Sequence, residues 1–123
     1  MWITPGSYGS VTGTNEWIGY MYNYNKKDNC GDNQRTGKGF VLGRWHTVKQ
    51  YYKMNTPGQP NGIHRMWLDG VQIINNTAFL YRDNPDLHIN YIFWANFRGG
   101  STADWATPND GIIDYDNLLI TTP

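Results

Sequence analysis

Residues 45–55 read WHTVKQYYKMN, and the alternation of side chains along this stretch decides the fold. One set of alternate positions is the more apolar and includes Val48, Tyr52 and Met54. The other set begins at Trp45 and continues through polar and cationic side chains. Because successive side chains of a β-strand point to opposite faces of its sheet, this period of two predicts a strand with one buried face and one outer face.

A second alternating stretch follows at residues 63–69, which read IHRMWLD. The loop before it, residues 56–62, holds two prolines, and a proline lacks the backbone N–H that a central strand needs. Asp69 and Gly70 form a dipeptide typical of a two-residue hairpin turn, and a short apolar run follows at residues 71–74. These signals predict neighbouring antiparallel strands joined by tight connections.

Strand composition recurs elsewhere in the chain, whereas no segment keeps the period of a helix. Further strands are predicted at residues 16–24, 39–42, 87–97 and 111–121, and a polar loop is predicted at residues 25–38. About six or seven short strands separated by Gly and Pro turns are typical of an all-β fold. We therefore expect an antiparallel β-sandwich or jelly roll, concanavalin-like in its layers, with essentially no helix.

The composition limits the classes of protein that the chain can belong to. It has 123 residues, which suits one β-sandwich domain over residues 1–123, and ten Lys and Arg balance ten Asp and Glu to a net charge of zero. Zero net charge disfavours a nucleic-acid binder, and the apolar runs are too short to span a membrane. The N-terminus shows neither basic residues nor an apolar core, so no signal peptide is expected in this sequence. The lone Cys30 excludes an internal disulfide.

Five side chains are predicted to share the outer face of the hairpin: Trp45, Lys49, Tyr51, Arg65 and Trp67. An aromatic ring packs against the C–H face of a sugar, and a lysine or arginine pairs with a carboxylate. This combination favours a binding surface for a sugar acid. The alternative is an ordinary solvated face, in which the aliphatic parts of the cationic side chains cover the two tryptophans. The residues alone leave both interpretations open.

Two histidines fall on the opposite, more apolar face of the same strands. His46 alternates with Val48, and His64 alternates with Met66. A histidine on an apolar face is more often a buried, hydrogen-bonded residue than a catalytic one. We therefore expect both histidines to lie in the core and to be hydrogen-bonded there.

Three neighbouring blocks carry the most specific pattern in the chain. They are residues 43–50, 53–58 and 61–70, which read GRWHTVKQ, KMNTPG and NGIHRMWLDG. Together they resemble polysaccharide lyase family 14, whose members are alginate and polyuronate lyases with a jelly-roll fold. The runs FWANFRGG and IDYDN, at residues 93–100 and 113–117, fit the closing strands of the same family. The resemblance covers most of the chain and corresponds to the C-terminal part of the family's catalytic domain, without its N-terminal strands.

A Tyr-x-Tyr pair precedes these blocks in the family, and Tyr20-Met21-Tyr22 matches it here. The resemblance implies a metal-independent β-elimination on a uronic-acid polymer, with no cofactor. In that reaction a tyrosine takes the proton at C5 of the uronate, and a tyrosine returns a proton to the leaving O4. A free tyrosine is a poor base at neutral pH, so nearby cations must favour the phenolate and neutralise the substrate carboxylate. Tyr20 and Tyr22 are the predicted catalytic residues.

The family supplies those cations from a lysine and a Ser-x-Arg motif that lie upstream of the Tyr-x-Tyr strand. No Lys, Arg or His precedes Tyr20 in this sequence. The resemblance therefore leaves three alternatives: Lys49, Arg65 or Arg98 replaces the upstream cations, the chain is a fragment, or the activity has been lost. Missing strands would also leave an incomplete sandwich with open sheet edges, through which copies of the chain can pair.

Two functions compete with the lyase interpretation. The first is a non-catalytic carbohydrate-binding module that uses the predicted outer face of the hairpin. The second is a structural β-domain that assembles with copies of itself, as a homo-oligomer, through exposed sheet edges. For both the lyase and the binding module the expected partner is an acidic polysaccharide, and such a substrate implies a secreted, extracellular protein. No nucleic-acid or membrane partner is expected.

Overall fold

The computed structural model describes residues 3–9, 15–24, 31–93, 102–103, 106, 110 and 112–122. Within these residues the chain forms six β-strands and no α-helix. The strands are β1 (Ile3–Gly9), β2 (Asn15–Met21), β3 (Asp32–Gly39), β4 (Val48–Lys53), β5 (Gly62–Leu68) and β6 (Val71–Phe79). No helix that is long and apolar enough to cross a membrane occurs in the described part of the chain.

The strands form two antiparallel sheets, in the order β1-β2-β3 and β4-β5-β6. Each strand pairs with its neighbour in the sequence, so both sheets are meanders. All six strands lie in one compact unit, Met1–Tyr91, and the described residues of a second compact unit, Ile92–Pro123, contain no strand. The two-sheet architecture confirms the predicted all-β antiparallel sandwich. The jelly-roll connectivity and the extent of a single domain stay predictions.

The main apolar core lies between the two sheets. Met21 on β2 has no exposed surface and clusters with Phe79, at the end of β6, and with Tyr81 just beyond it. Tyr52 and Met54, which belong to β4 and the residue after it, pack against this cluster. Burial of one large apolar side chain stabilises a fold by about 1.5–3 kcal/mol. These contacts therefore hold the first sheet on the second.

A glycine on β2 allows the two sheets to approach each other closely. A Cβ atom at Gly19 would lie 2.8 Å from Cε1 of His64 and 3.2 Å from Cδ1 of Ile74. Both of those side chains are buried. Gly19 and Met21 therefore face the second sheet, and the residues that alternate with them on β2 face away from it.

The register of β4 and β5 confirms which face of the predicted hairpin is buried. Lys49 pairs with Trp67, and Tyr51 pairs with Arg65. Burial alternates strictly along β5, where every second residue across Gly62–Leu68 is buried. Because the buried set faces the first sheet, Lys49, Tyr51, Arg65 and Trp67 point outward, as the alternation in the sequence predicts.

The predicted turn between β5 and β6 is a two-residue hairpin. Asp69 and Gly70 both have positive φ, 50° and 80°, the combination of a type I′ turn.

The Asp69 carboxylate accepts hydrogen bonds from the backbone N–H of Thr47 at 2.9 Å and from Arg44 at 2.7 Å, and it lies 2.7 Å from Nδ1 of His46. The Thr47 N–H and His46 lower the pKa of Asp69. His46 is therefore hydrogen-bonded as predicted, but it is only partly buried, so its predicted place in the core is wrong.

Two predictions for the first sheet are wrong. The sequence predicts a loop at residues 25–38 and a strand at residues 39–42, whereas β3 occupies Asp32–Gly39 and the chain leaves the sheet after it. Residues 25–30 of the predicted loop lie outside the described part of the chain. The residues of β3 are mostly polar or glycine, types with low β-propensity. They form a strand because their backbone pairs with β2, and half-buried and exposed side chains alternate along its first part. β1, at Ile3–Gly9, is likewise a strand that the composition does not predict.

Two strands predicted near the C-terminus are absent from the residues that the structure describes. Residues 87–93 and 112–121 form no strand there, and residues 94–97 and 111 lie outside the described part of the chain. Apolar side chains in both stretches are exposed, Tyr91 by 76% and Ile112 by 86%. Apolar alternation predicts which face of a strand is buried, but a strand also needs a neighbour that pairs with its backbone N–H and C=O groups.

Candidate active site

Tyr20 lies near the end of β2 and Tyr22 directly follows the strand, and the alternation places both on the face of the first sheet that points away from the second sheet. This orientation follows from the alternation, because Gly19 and Met21 face the second sheet. The two rings meet edge to face with centroids 5.4 Å apart, and their hydroxyl oxygens are 3.5 Å apart. Both side chains are half-buried. The two predicted catalytic residues therefore form one contiguous pair that solvent can reach.

The backbone at Gly31 approaches the Tyr20 hydroxyl directly. The Gly31 N–H donates a hydrogen bond to Oη of Tyr20 at 2.8 Å. A Cβ atom at residue 31 would lie 2.9 Å from Cζ of Tyr20 and 2.9 Å from the carbonyl oxygen of Met21, so only glycine fits without a shift. The donor points at the atom that carries the charge of a phenolate. A hydrogen bond to a charged oxygen is about twice as strong as one to a neutral oxygen.

The neighbouring strand β3 brings two polar side chains to the same face. Asn33 pairs directly with Tyr20, and Arg35 pairs with Ile18, so both lie on the tyrosine side of the sheet. Arg35 is diagonal to Tyr20 across the two strands, a relation that separates the residues by about 7–8 Å. The sequence does not single out Arg35, because the polar and glycine residues around it predict a loop. The signal that finds it is the register of β2 and β3.

Arg35 is oriented by an ion pair with Glu16. Its Nη1 atom lies 2.9 Å from Oε2 of Glu16, and the arginine side chain is 66% exposed. The other carboxylate oxygen of Glu16 accepts hydrogen bonds from the backbone N–H groups of Thr36 at 3.0 Å and Gly37 at 2.8 Å. The Gly37 N–H and the guanidinium lower the pKa of Glu16, so this carboxylate is charged at neutral pH. An exposed ion pair contributes little to stability, so its main effect here is orientation.

The predicted binding residues on β4 and β5 gather on the outer face of the second sheet. Nζ of Lys49 lies 5.1 Å from the ring centroid of Trp67, which is a cation–π contact. Tyr51 lies opposite Arg65, and Nε of Arg65 donates a hydrogen bond to Oδ1 of Asn75 on β6 at 3.0 Å. Lys49, Tyr51, Arg65 and Trp67 therefore form one patch of aromatic and cationic side chains, called the β4–β5 patch below.

One further predicted binding residue lies outside the paired strands, and another lies outside the residues that the structure describes. Trp45 precedes β4, belongs to no strand and is 66% exposed. Arg98 lies outside the residues that the structure describes. The role of Arg98 beside a substrate therefore stays a prediction, as does that of Trp45.

The β4–β5 patch and the tyrosine pair lie on opposite sides of the sandwich. Gly19 and His64 meet between the sheets, so their chain neighbours Tyr20 and Arg65 point away from each other. Stacked sheets are about 10 Å apart, and outward side chains add to that separation. Lys49 shares the face of Arg65. Within one chain the structure therefore places Lys49 and Arg65 on the side of the sandwich opposite the tyrosines, and the source of the missing cation stays a prediction.

His64 is fully buried between the sheets, as the sequence predicts. Its ring stacks on Tyr52 with centroids 4.8 Å apart and planes 8° apart, and its Nδ1 donates a hydrogen bond to Oε1 of Gln34 at 3.0 Å. Burial lowers the pKa of His64 to about 4, so the ring is neutral at pH 7. Burial likewise raises the pKa of Tyr52. A side chain without exposed surface does not meet a substrate, so His64 serves packing.

Two facing antiparallel sheets with the predicted site residues on their outer faces define an all-β sandwich domain. The family model named Polysaccharide lyase 14 matches residues 11–118, which is most of the chain. The chain therefore belongs to the polysaccharide lyase 14 family, and the resemblance carried by its motifs is confirmed. Comparisons with curated proteins and with solved structures found no match.

Proposed function

We propose that this domain cleaves a uronic-acid polymer such as alginate by metal-independent β-elimination, with Tyr20 and Tyr22 as the catalytic residues. The observation that carries the proposal is the tyrosine pair, two hydroxyl oxygens 3.5 Å apart on an outer sheet face. Membership of the polysaccharide lyase 14 family supports a lyase-like domain. The expected partner is an acidic polysaccharide, and such a substrate implies a protein that acts outside the cell.

The reaction needs a base at one carbon and an acid at the oxygen that leaves. The base removes the proton from C5 of the uronate, the electron pair forms the C4–C5 double bond, and the C4–O4 bond breaks as O4 takes a proton. Tyr20 suits the base, because the Gly31 N–H stabilises negative charge on its oxygen. Tyr22 suits the acid, and proton transfer between the two hydroxyls afterwards restores the starting state.

The test is incubation of the purified chain with alginate, glucuronan and other polyuronates while the ultraviolet absorbance of unsaturated chain ends is followed. Tyr20→Phe or Tyr22→Phe is expected to lower kcat by about 100- to 10,000-fold, the usual contribution of a general acid or base. Tyr91→Phe is the matched control, because Tyr91 is an exposed tyrosine outside the strands, and it is expected to keep full activity. Folded protein that gives no signal on any polyuronate would refute the proposal.

A second candidate function is carbohydrate binding without catalysis on the β4–β5 patch. The observation that favours it is the cation–π contact of Lys49 with Trp67, which places a positive charge beside a half-buried aromatic ring. Trp67→Ala and Lys49→Gln are expected to lose salt-sensitive retention on an acidic polysaccharide, while Lys38→Gln, at an exposed lysine on β3, keeps it. Retention of Trp67→Ala equal to that of wild type would contradict this function.

A further inference from the structure

We propose that Arg35 binds the carboxylate of the sugar acid at the tyrosine pair and that Glu16 positions it there. The inference rests on the proposed lyase function, because it supplies the positive charge that the elimination needs. The sequence suggests that this charge comes from a cation upstream of the tyrosines or from Lys49, Arg65 or Arg98. The structure instead indicates a cation on β3, the strand that follows the tyrosines.

The reacting carbon explains why a cation is needed beside the tyrosines. C5 of a uronate bears the carboxylate, and negative charge builds on that carboxylate as the C5 proton leaves. A positive group held against the carboxylate stabilises this charge in the transition state. The base and the cation therefore contact neighbouring atoms of one sugar, and they must lie on the same face of the protein.

The register of the first sheet meets this requirement. Arg35 and Tyr20 are diagonal neighbours on one face, about 7–8 Å apart, and Asn33 lies directly opposite Tyr20 on that face. A sugar whose C5 lies over the tyrosine oxygen has its carboxylate within reach of a long side chain on the next strand. Among the strand cations for which a register partner is given, Arg35 lies on this face, whereas Lys49, Lys53 and Arg65 lie on the second sheet.

The Arg35 guanidinium keeps donors for a substrate. Its contact within the described residues is with Glu16 through Nη1, whereas a guanidinium carries five N–H donors in a fixed fork. A carboxylate fits such a fork with two parallel hydrogen bonds. Because Thr36 and Gly37 anchor the Glu16 carboxylate, the ion pair holds the guanidinium in one orientation. Less conformational freedom is then lost when the substrate binds.

The test compares Arg35→Gln and Arg35→Lys with Arg44→Gln as the matched control. Arg44 is also an exposed arginine paired with a carboxylate, with Nη2 2.7 Å from Oδ2 of Asp69, but it lies in the second sheet's hairpin network. Values of kcat and KM are measured on a polyuronate and on its methyl ester, in which the carboxylate carries no charge. Circular dichroism and urea unfolding establish that each variant is folded.

The two substrates separate a carboxylate contact from a general defect. On the free acid, Arg35→Gln is expected to lower kcat/KM by about 10- to 100-fold, the usual effect of losing a hydrogen bond to a charged group, and Arg35→Lys by less. On the methyl ester, Arg35→Gln and wild type are expected to agree within about threefold. Arg44→Gln is expected to match wild type on both. An equal loss on both substrates, or no loss on the free acid, overturns the assignment.

Binding distinguishes failure of this assignment from failure of the lyase function. If wild type releases no unsaturated ends from any polyuronate, the proposed lyase function is wrong. Affinity electrophoresis in a polyuronate gel then tests separately whether Arg35 binds the carboxylate. Retention that is lost in Arg35→Gln and kept in Arg44→Gln supports carboxylate binding by Arg35. Equal retention of the three proteins, or retention of none, overturns it.

Glu16→Gln tests the positioning role. Because Glu16 acts through Arg35, this substitution is expected to raise KM for the free acid and to leave the methyl ester unaffected. In the Arg35→Gln background it is expected to add no further loss, which a double-mutant cycle measures. A loss that adds fully to that of Arg35→Gln would show that Glu16 acts independently and would overturn its positioning role.

Discussion

Lowering the pH from 7 to 5 is expected to destabilise the folded domain by about 2 kcal/mol through one buried side chain. His64 has no exposed surface, and burial lowers its pKa to about 4, against about 6.5 in an unfolded chain. Below pH 6.5 the unfolded state therefore binds a proton that the folded state excludes. By linkage, the stability is complete above about pH 6.5 and is lost as the pH falls toward 4.

The size of the effect follows from these two pKa values. At pH 5 the unfolded histidine is almost fully protonated and the folded one is mostly neutral, which corresponds to about 2 kcal/mol, and at pH 4 the loss reaches about 3 kcal/mol. Gln34 and Tyr52, which face the ring, carry no charge in this range. The pKa values of Glu16 and Asp69 are lowered below 4.5 and 3.8. These carboxylates therefore take up protons, and change the stability, at a more acid pH than the one at which His64 has its effect.

Urea unfolding at pH 7 and at pH 5 measures the loss of stability, and an NMR titration of the ring protons reports the pKa of His64 directly. His64→Gln keeps a donor for Gln34 but does not titrate, so its stability is expected to change by less than about 0.5 kcal/mol over the same range. His88→Gln, at an exposed histidine, is the control and is expected to keep the wild-type dependence. A wild-type dependence in His64→Gln, or a His64 pKa near 6.5 in the folded protein, would refute the reasoning.

Three further substitutions test the packing around the site and the turn. Gly31→Ala places a Cβ 2.9 Å from Cζ of Tyr20 and is expected to lower kcat on a polyuronate; an unchanged kcat in folded protein contradicts the close approach. Met21→Ala opens a cavity between the sheets and is expected to cost about 2–5 kcal/mol in urea unfolding, so a cost below about 1 kcal/mol contradicts the core assignment. Gly70→Ala meets open space but has φ of 80°, so backbone strain alone is expected to cost about 1–2 kcal/mol, and unchanged stability argues against the type I′ turn.

The second sheet can be predicted from the sequence because its own side chains determine it. The alternation in β5 distinguishes its two faces, and Asp69-Gly70 supplies the positive φ values that a two-residue turn requires. Both signals are local. The outward set that includes Lys49 and Trp67 follows from them without reference to the rest of the chain.

The first sheet is harder to predict because partners that are distant in sequence determine it. β3 carries few apolar residues and becomes a strand through its pairing with β2. The place of Arg35 depends on the register of that pair, and the approach of Gly31 to Tyr20 depends on how the chain returns to the sheet. Neither the composition of the sequence nor the alternation of its side chains reveals these pairings and contacts.

The candidate site also has one part that the sequence predicts and another part that depends on contacts between distant residues. Tyr20 and Tyr22 are found from a motif, and the structure places their hydroxyls side by side. Their separation from Lys49 and Arg65 depends on which faces of the two sheets meet, and that follows from the contact of Gly19 with His64. A single sequence does not reveal this contact, because both faces of β2 carry aromatic or apolar residues.

The meander order of both sheets has a kinetic consequence. Every strand pairs with the strand next to it in the chain, so each pairing closes a short loop at low entropic cost. Folding rates rise as the sequence separation of contacting residues falls. The β5–β6 hairpin, joined by two residues, is expected to form first, and the long-range packing of Gly19 on His64 is expected to form late. Because only the connection from β3 to β4 crosses between the sheets, this domain is expected to fold faster than a sandwich in which most consecutive strands lie in different sheets.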